Sequence, residues 1–206
     1  MKSITVGIVD YGVGNLNSVH HALRTLGFRS LIGSDPKTLD TADLLLLPGV
    51  GAFPTAMKAL DRLHLTDYLR ATARAGRPIL GICLGMQLLA DASTEHEHTI
   101  GLGLIPGQVR ALSLAARHIG WNDIIPNCHD PLFHHAYHKQ HCTVYFNHSF
   151  VLDTKREYCI FTAQASEPIV AVVRKDMTVG FQFHPEKSQD AGHRLLSDVI
   201  KGLYHA

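Results

Sequence analysis

The sequence predicts an α/β fold: a mostly parallel sheet flanked by helices, with additional antiparallel strands in the C-terminal half. Three observations carry that prediction. Largely apolar runs of strand length stand at residues 4–9, 44–47 and 78–83, as strands covered on both faces do. Segments of helical period separate them, and strand alternating with helix implies parallel pairing. Beyond about residue 109 the pattern changes to strand-like runs joined by turns, which suits antiparallel pairing.

Taken in order, the run at 4–9 stops at Asp10 and reads as a buried first strand, not as a secretory signal. Gly12-Val13-Gly14-Asn15 turns the chain into a helix over about 16–26, closed by Gly27. Leu44-Leu45-Leu46-Leu47 is a strand stopped by Pro48-Gly49. Helical period returns over 53–75 with a break near His64. The strand at 78–83 runs into a helix over 84–90. Strands follow at 109–112, 142–151, 159–163, 169–173 and 179–183, and a last helix covers 189–203. The polar, His-rich stretch 127–141 reads as a surface excursion. With no internal repeat and no linker-like tract, residues 1–206 are expected to form a single domain.

Composition bounds the function classes. With 46% hydrophobic and 18% charged residues in 206, the chain supports a sizeable core and does not read as disordered. A formal charge of +1 gives no bulk electrostatic case for nucleic acid or an acidic membrane, and neither is expected as a partner. No apolar stretch approaches the roughly 18 residues that span a bilayer. Cys83, Cys128, Cys142 and Cys159 are too few and too scattered for a disulfide framework. Reduced thiols in a cytoplasmic protein are the expectation.

Gly81-Ile82-Cys83-Leu84-Gly85 lies where a strand gives way to a helix. Such a sharp turn presents its central side chain at the helix N-terminus, where the dipole favours an anion. Its neighbours must be small because backbone comes close. The alternative is a buried structural cysteine between two turn glycines. Phe181-Gln182-Phe183-His184-Pro185-Glu186 closes another strand. Pro185 keeps His184 out of a helix, and Glu186 is placed to reach the second ring nitrogen. Cysteine, histidine base and orienting carboxylate are the parts of a nucleophilic triad. With fifteen histidines in the chain, His-Pro-Glu by itself is a weak signal. Combined with the elbow, in this order and at strand ends, it is a strong one.

Gly81-Ile82-Cys83-Leu84-Gly85-Met86-Gln87 with Phe183-His184-Pro185-Glu186 resembles the class I, or triad, glutamine amidotransferases. Asp10-Tyr11-Gly12-Val13-Gly14-Asn15-Leu16-Asn17-Ser18, Leu47-Pro48-Gly49-Val50-Gly51-Ala52-Phe53 and His118-Ile119-Gly120-Trp121-Asn122 narrow the resemblance to the amidotransferase subunits of imidazole glycerol phosphate synthases, end to end. The implied fold is class I glutamine amidotransferase-like, a flavodoxin-like α/β arrangement.

The resemblance implies glutamine as substrate, with Cys83 as nucleophile, His184 as base and Glu186 orienting it. Oxyanion donors fall on Leu84 and on the Gly49-Val50 peptide, which is expected to reorient, cheaply between Gly49 and Gly51. Gly51, Gln87, Glu95, His148, Ser149 and Phe150 fall in the substrate pocket. Gln87, one helical turn after Cys83, faces the same side; otherwise it is an exposed helix residue. Glu95 otherwise belongs to a solvated acidic loop. Asn15, Ser18, Trp121 and Asn122 map to the interface with a (β/α)8 cyclase subunit; otherwise Asn15 and Ser18 are helix caps and Trp121 is core. No cofactor is implied. The implied role is ammonia supply to imidazole glycerol phosphate and AICAR formation in histidine biosynthesis. Two departures stand out: Arg117 where the family usually has proline, and Asn147 where it has an apolar residue.

Three rivals remain. Paralogues feed ammonia to a surface-sugar (lipopolysaccharide) biosynthetic enzyme. Cys128, His129, His134, His135, His138, His141 and Cys142 crowd one stretch as zinc ligands would, although their spacing matches no common site and no metal is expected. A non-catalytic scaffold on the same fold is the third, against which the intact triad set argues.

Overall fold

The computed structural model describes residues 3–113, 117–133 and 142–206. In chain order the first half comprises β1 (Thr5–Val9), α1 (Leu16–Thr25), β2 (Arg29–Gly33), α2 (Pro36–Leu39), β3 (Leu44–Gly49), α3 (Phe53–Arg62), α4 (Leu65–Arg74), β4 (Ile79–Cys83) and α5 (Leu84–Leu88). There follow β5 (Ala92–Ser93), β6 (Thr99–Ile100), β7 (Gly107–Ala111), β8 (His118–Pro126), β9 (Thr143–His148), β10 (Phe150–Thr154), β11 (Cys159–Gln164), β12 (Pro168–Lys175), β13 (Thr178–Phe181) and α6 (Gln189–His205).

The large sheet runs β2-β1-β3-β4-β13-β12-β11-β8-β9. Its first five strands pair in parallel and the rest antiparallel; β13, grouped from the sequence with the antiparallel additions, is instead the fifth parallel strand through its pairing with β4. Period-two alternation sorts the parallel strands between two cores. Val6, Ile8, Leu44, Leu46, Leu80 and Ile82 pack with Val19 and Leu23 of α1 and Leu196, Val199 and Ile200 of α6. Leu45, Leu47 and Ile79 pack on the other face with Ala56, Met57 and Leu60 of α3 and Leu65 and Leu69 of α4. The four leucines of β3 are therefore all buried. The break in the 53–75 helix falls at His64, in the left-handed region with φ 55°.

Several boundaries differ from expectation. The stretch 142–151 is two strands, not one: β9 pairs with β8 in the large sheet, and β10 pairs with β7 in a small sheet ordered β10-β7-β5-β6. The change of sheet falls at Ser149, whose carbonyl accepts from the Leu112 amide at 3.0 Å. The nine-residue β8 was not anticipated, because His118, Asn122 and Asp123 interrupt its apolar pattern. Nor were the short β2, α2, β5 and β6. The surface reading of 127–141 fails in its described part. Leu132 and Phe133 are buried, and Asp130 accepts two hydrogen bonds from Arg174 at 2.6 and 2.8 Å. Among the described residues no helix is long and apolar enough to cross a membrane.

Parallel pairing brings the C-terminal ends of β3, β4 and β13 together. Gly49 stands opposite Cys83 and Phe181 opposite Ile82.

Candidate active site

Cys83 ends β4 with φ 54° and ψ −111°, a conformation that non-glycine residues rarely adopt. Packing holds it there. A Cβ on Gly85 would enter the van der Waals shell of the Leu47 carbonyl oxygen, and one on Gly81 would lie 2.6 Å from the Gly85 carbonyl oxygen. Only glycine lets the turn close this tightly at both positions. The Cys83 sulfur lies 3.9 Å from the Asn147 carbonyl oxygen and 4.0 Å from Nε2 of Gln182.

His184 follows β13, its backbone N–H donating to the Tyr145 carbonyl at 2.9 Å. Its Nδ1 lies 2.8 Å from Oε1 of Glu186, with both side chains almost wholly buried. Burial by itself lowers the basicity of this imidazole. Hydrogen bonds with Cys83 and Glu186, and their negative charge, outweigh burial and raise its pKa to about 10. The Cys83 side chain, His184 and Glu186 are therefore in series.

Cys83 and His184 border a cavity of about 320 Å³, with Glu186 buried behind the imidazole. Val50, Gly51, Leu84, Gln87, Glu95, His148, Ser149 and Phe150 line it with Cys83 and His184. Gln87 is buried, not an exposed helix residue, and its Nε2 donates to the Phe150 carbonyl at 2.9 Å and to Oε1 of Gln182 at 3.0 Å. Glu95 is buried as well, with Oε2 accepting from the Phe53 amide at the start of α3. Both departures from the family pattern, Arg117 and Asn147, fall on the cavity wall, as does Lys187. Gly49 lies behind the wall, where the buried Tyr11 donates its hydroxyl to the Pro48 carbonyl at 2.7 Å. Burial and the nearby Cys83 raise the Tyr11 pKa, so that hydroxyl keeps its proton.

The class I glutamine amidotransferase model matches residues 7–202. The chain belongs to the class I glutamine amidotransferases. Within them, this amidotransferase is 44% identical over 189 residues to the imidazole glycerol phosphate synthase subunit HisH of Lacticaseibacillus casei, covering 90% of the chain and 89% of the relative. It is 42% identical over 201 residues to the protein of that name from Listeria monocytogenes, covering 96% and 95%. Among solved structures, PurLQS from Thermotoga maritima superposes with a TM-score of 0.78 at 21% identity, covering 98% of this chain and all of that one. That likeness speaks for the fold alone.

The residues of this amidotransferase nominated for a partner lie elsewhere. Asn15 caps α1, its side chain accepting from the Ser18 amide at 3.4 Å. Trp121 is half exposed, not core, and meets Tyr145 edge-on at 5.9 Å. Ile119 is equally exposed on the same strand. Asn122 is half-buried and donates to the Gln164 carbonyl at 2.7 Å. Of the zinc reading, His134, His135, His138 and His141 lie outside the described residues. Among the described residues no group of three or more His, Cys, Asp or Glu is placed to hold a metal. Tyr11 and Gln182 were missed as site residues. Their only sequence signal was adjacency to the motifs, since nothing in a linear pattern shows a hydroxyl reaching 37 residues along the chain.

Proposed function

We propose that this chain is the glutamine-hydrolysing subunit of an imidazole glycerol phosphate synthase, a cytoplasmic protein that passes ammonia to a separate (β/α)8 cyclase subunit in histidine biosynthesis. The observation that supports it most is His184, buried between Cys83 and Glu186 on the wall of a cavity, in a chain so similar to two HisH proteins.

In this reading Cys83 gives its proton to His184, and the sulfur attacks the side-chain amide carbon of glutamine. The oxyanion is held by the backbone N–H of Leu84 and by that of Val50 once the Gly49-Val50 peptide presents it. Gly51, at φ 98° with open space around a Cβ position, lets the chain after Val50 adjust as that peptide turns. The tetrahedral species collapses, the C–N bond breaks, and His184 returns its proton to the leaving nitrogen as ammonia. Part of what raises the proton affinity of His184 is the Cys83 thiolate, so consuming that charge in the attack eases the proton's release to the leaving nitrogen. Water, deprotonated by His184, then cleaves the thioester and releases glutamate. Glu186 holds the ring throughout. Gln87 and the strand around Ser149 hold the substrate, and Glu95 takes its ammonium group. Asn15, Ser18, Trp121 and Asn122 meet the cyclase, with Ile119 extending that apolar face.

The test compares glutamine turnover by the isolated chain, by the chain with its (β/α)8 partner, and by that complex with the acceptor nucleotide bound. Activity rising at each step supports the reading. A fully active isolated chain, indifferent to both additions, overturns control of hydrolysis by a partner. Activation only by a surface-sugar synthetase retains the glutaminase and overturns the histidine-pathway assignment.

A further inference from the structure

A line of hydrogen bonds runs from the outer strands to the cavity, and its ends dictate every proton along it. The Phe150 carbonyl only accepts, and Nδ1 of His148 lies 2.9 Å from it, so that nitrogen carries the proton. Nε2 of His148 is then an acceptor, and the atom 3.0 Å away, Nδ1 of His118, must donate to it. Nε2 of His118 is left as an acceptor, 3.2 Å from the amide nitrogen of Asn122. That amide's orientation is set independently, because the same nitrogen donates to the Gln164 carbonyl at 2.7 Å. Direction is therefore consistent from end to end, with both rings neutral and both in the Nδ1–H form. Burial holds both imidazoles below their ordinary range, His148 at about 4, which agrees with neutral rings.

The Phe150 carbonyl is where this line meets the site. It accepts a second bond from Gln87, which also donates to Gln182, whose amide is directed at the Cys83 sulfur. Both lone-pair directions of that carbonyl are therefore used, one from the outer strands and one from the nucleophile side.

We propose that Asn122, His118 and His148 are positioning residues for glutamine hydrolysis: a relay of fixed donor–acceptor order that sets the Phe150 carbonyl and, through it, Gln87 against the substrate. None of the three donates to the reacting atoms. Their effect falls on glutamine binding, and it rests on the glutaminase reading above. The relay also joins β8, which carries the exposed Trp121, to the pocket, so strain on that strand reaches the substrate site without passing through the elbow.

The test has two arms. In protein labelled with 15N-histidine at neutral pH, nitrogen–proton correlation spectra report which ring nitrogen is protonated, with His118→Gln and His148→Gln used to assign the signals. Both rings should be neutral and Nδ1–H. An Nε2–H form, or a protonated ring, at either position overturns the relay. In the second arm, L-glutamine affinity is measured by calorimetry in a Cys83→Ala background, so that no turnover and no partner enters. His118→Leu should weaken it about ten-fold, the scale of one lost buried hydrogen bond. His118→Gln should restore it to within about two-fold, because a glutamine amide donates to His148 and accepts from Asn122 in the same order. Equal loss in both variants, or none in His118→Leu, sinks the proposal. Should His118→Leu fail to fold, Asn122→Leu takes its place, removing only the outermost donor. A Cys83→Ala parent that binds no L-glutamine counts against the glutaminase reading instead, while the spectra still decide the relay.

Discussion

Oε1 of Glu186 lies 2.8 Å from Nδ1 of His184, while its other oxygen, Oε2, is buried with no hydrogen-bond partner among the described residues. Among the described residues the imidazole is thus the carboxylate's one hydrogen-bond partner. A desolvated acceptor of this kind is costly unless its one partner carries positive charge. The pair is therefore arranged around the protonated ring, the form that follows transfer from Cys83.

Removing the ring should cost more than removing the charge that orients it. His184→Asn is expected to lower glutamine turnover by at least about a hundred-fold, the usual scale of general acid–base loss. Glu186→Gln should lose less, since His184 remains. Steady-state kinetics with the activating partner present decide it, and wild-type rates in both variants would falsify the triad.

Cys83→Ala should abolish glutamine-dependent synthesis while externally supplied ammonia still supports it. Electrophilic glutamine analogues should label Cys83 and spare Cys128, Cys142 and Cys159, read by peptide mass spectrometry. Preferential labelling of Cys128, the exposed thiol, would move the nucleophile elsewhere.

Tyr11→Phe deletes the bond to the Pro48 carbonyl and leaves that buried acceptor empty. Stability should fall by about 1 kcal/mol. If the end of β3 supplies an oxyanion donor, kcat should fall while the glutamine KM holds. A fall in stability without any fall in kcat would separate Tyr11 from catalysis.

Gly85→Ala and Gly76→Ala form a matched pair. The first places a methyl group against the Leu47 carbonyl and should cost at least about 3 kcal/mol, or prevent folding. The second, at φ 77° in open space, should cost only about 1 kcal/mol of backbone strain. Denaturant melts compare them, and equal costs would contradict the elbow packing.

Acid should destabilise the fold through His148. Burial lowers its pKa to about 4, its bond to Phe150 opposing this in part and the charges of His118 and His184 adding to it. An unfolded histidine takes up its proton near pH 6.5. Between those values the unfolded state binds more protons, so this contribution is intact above about pH 6.5 and is lost as pH falls through about 4. It amounts to no more than about 3 kcal/mol. Melts from pH 7 to pH 4 should show the loss, and His148→Gln should flatten it. An unchanged slope in that variant would assign the acid sensitivity to other groups.

Much of the site was legible because its chemistry is local. Cys83 with its two glycines, and His184 with Pro185 and Glu186, are each written within six residues, and the turn each requires restricts the residue types allowed. The buried state of Gln87 and Glu95 was not legible. A glutamine on a short helix and an acid in an acidic run read as solvated until the strands carrying Phe150 and the start of α3 are brought over them. Strand β8 escaped notice because its polar residues face partners from other strands, as Asn122 faces the Gln164 carbonyl, 42 residues away.

The sequence by itself determined the α/β alternation, the parallel strands buried on both faces, the elbow at Cys83 and the choice of Cys83, His184 and Glu186 as the candidate triad. Each of these depends on residue type and spacing over a single turn or strand. Only the tertiary structure decided that 142–151 divides between two sheets at Ser149, that Tyr11 secures the end of β3, and that Asn122, His118 and His148 align with the Phe150 carbonyl. Those relations join residues tens of positions apart. A hydrogen bond's direction depends on where both partners end up, and that is set by the packing of the whole sheet.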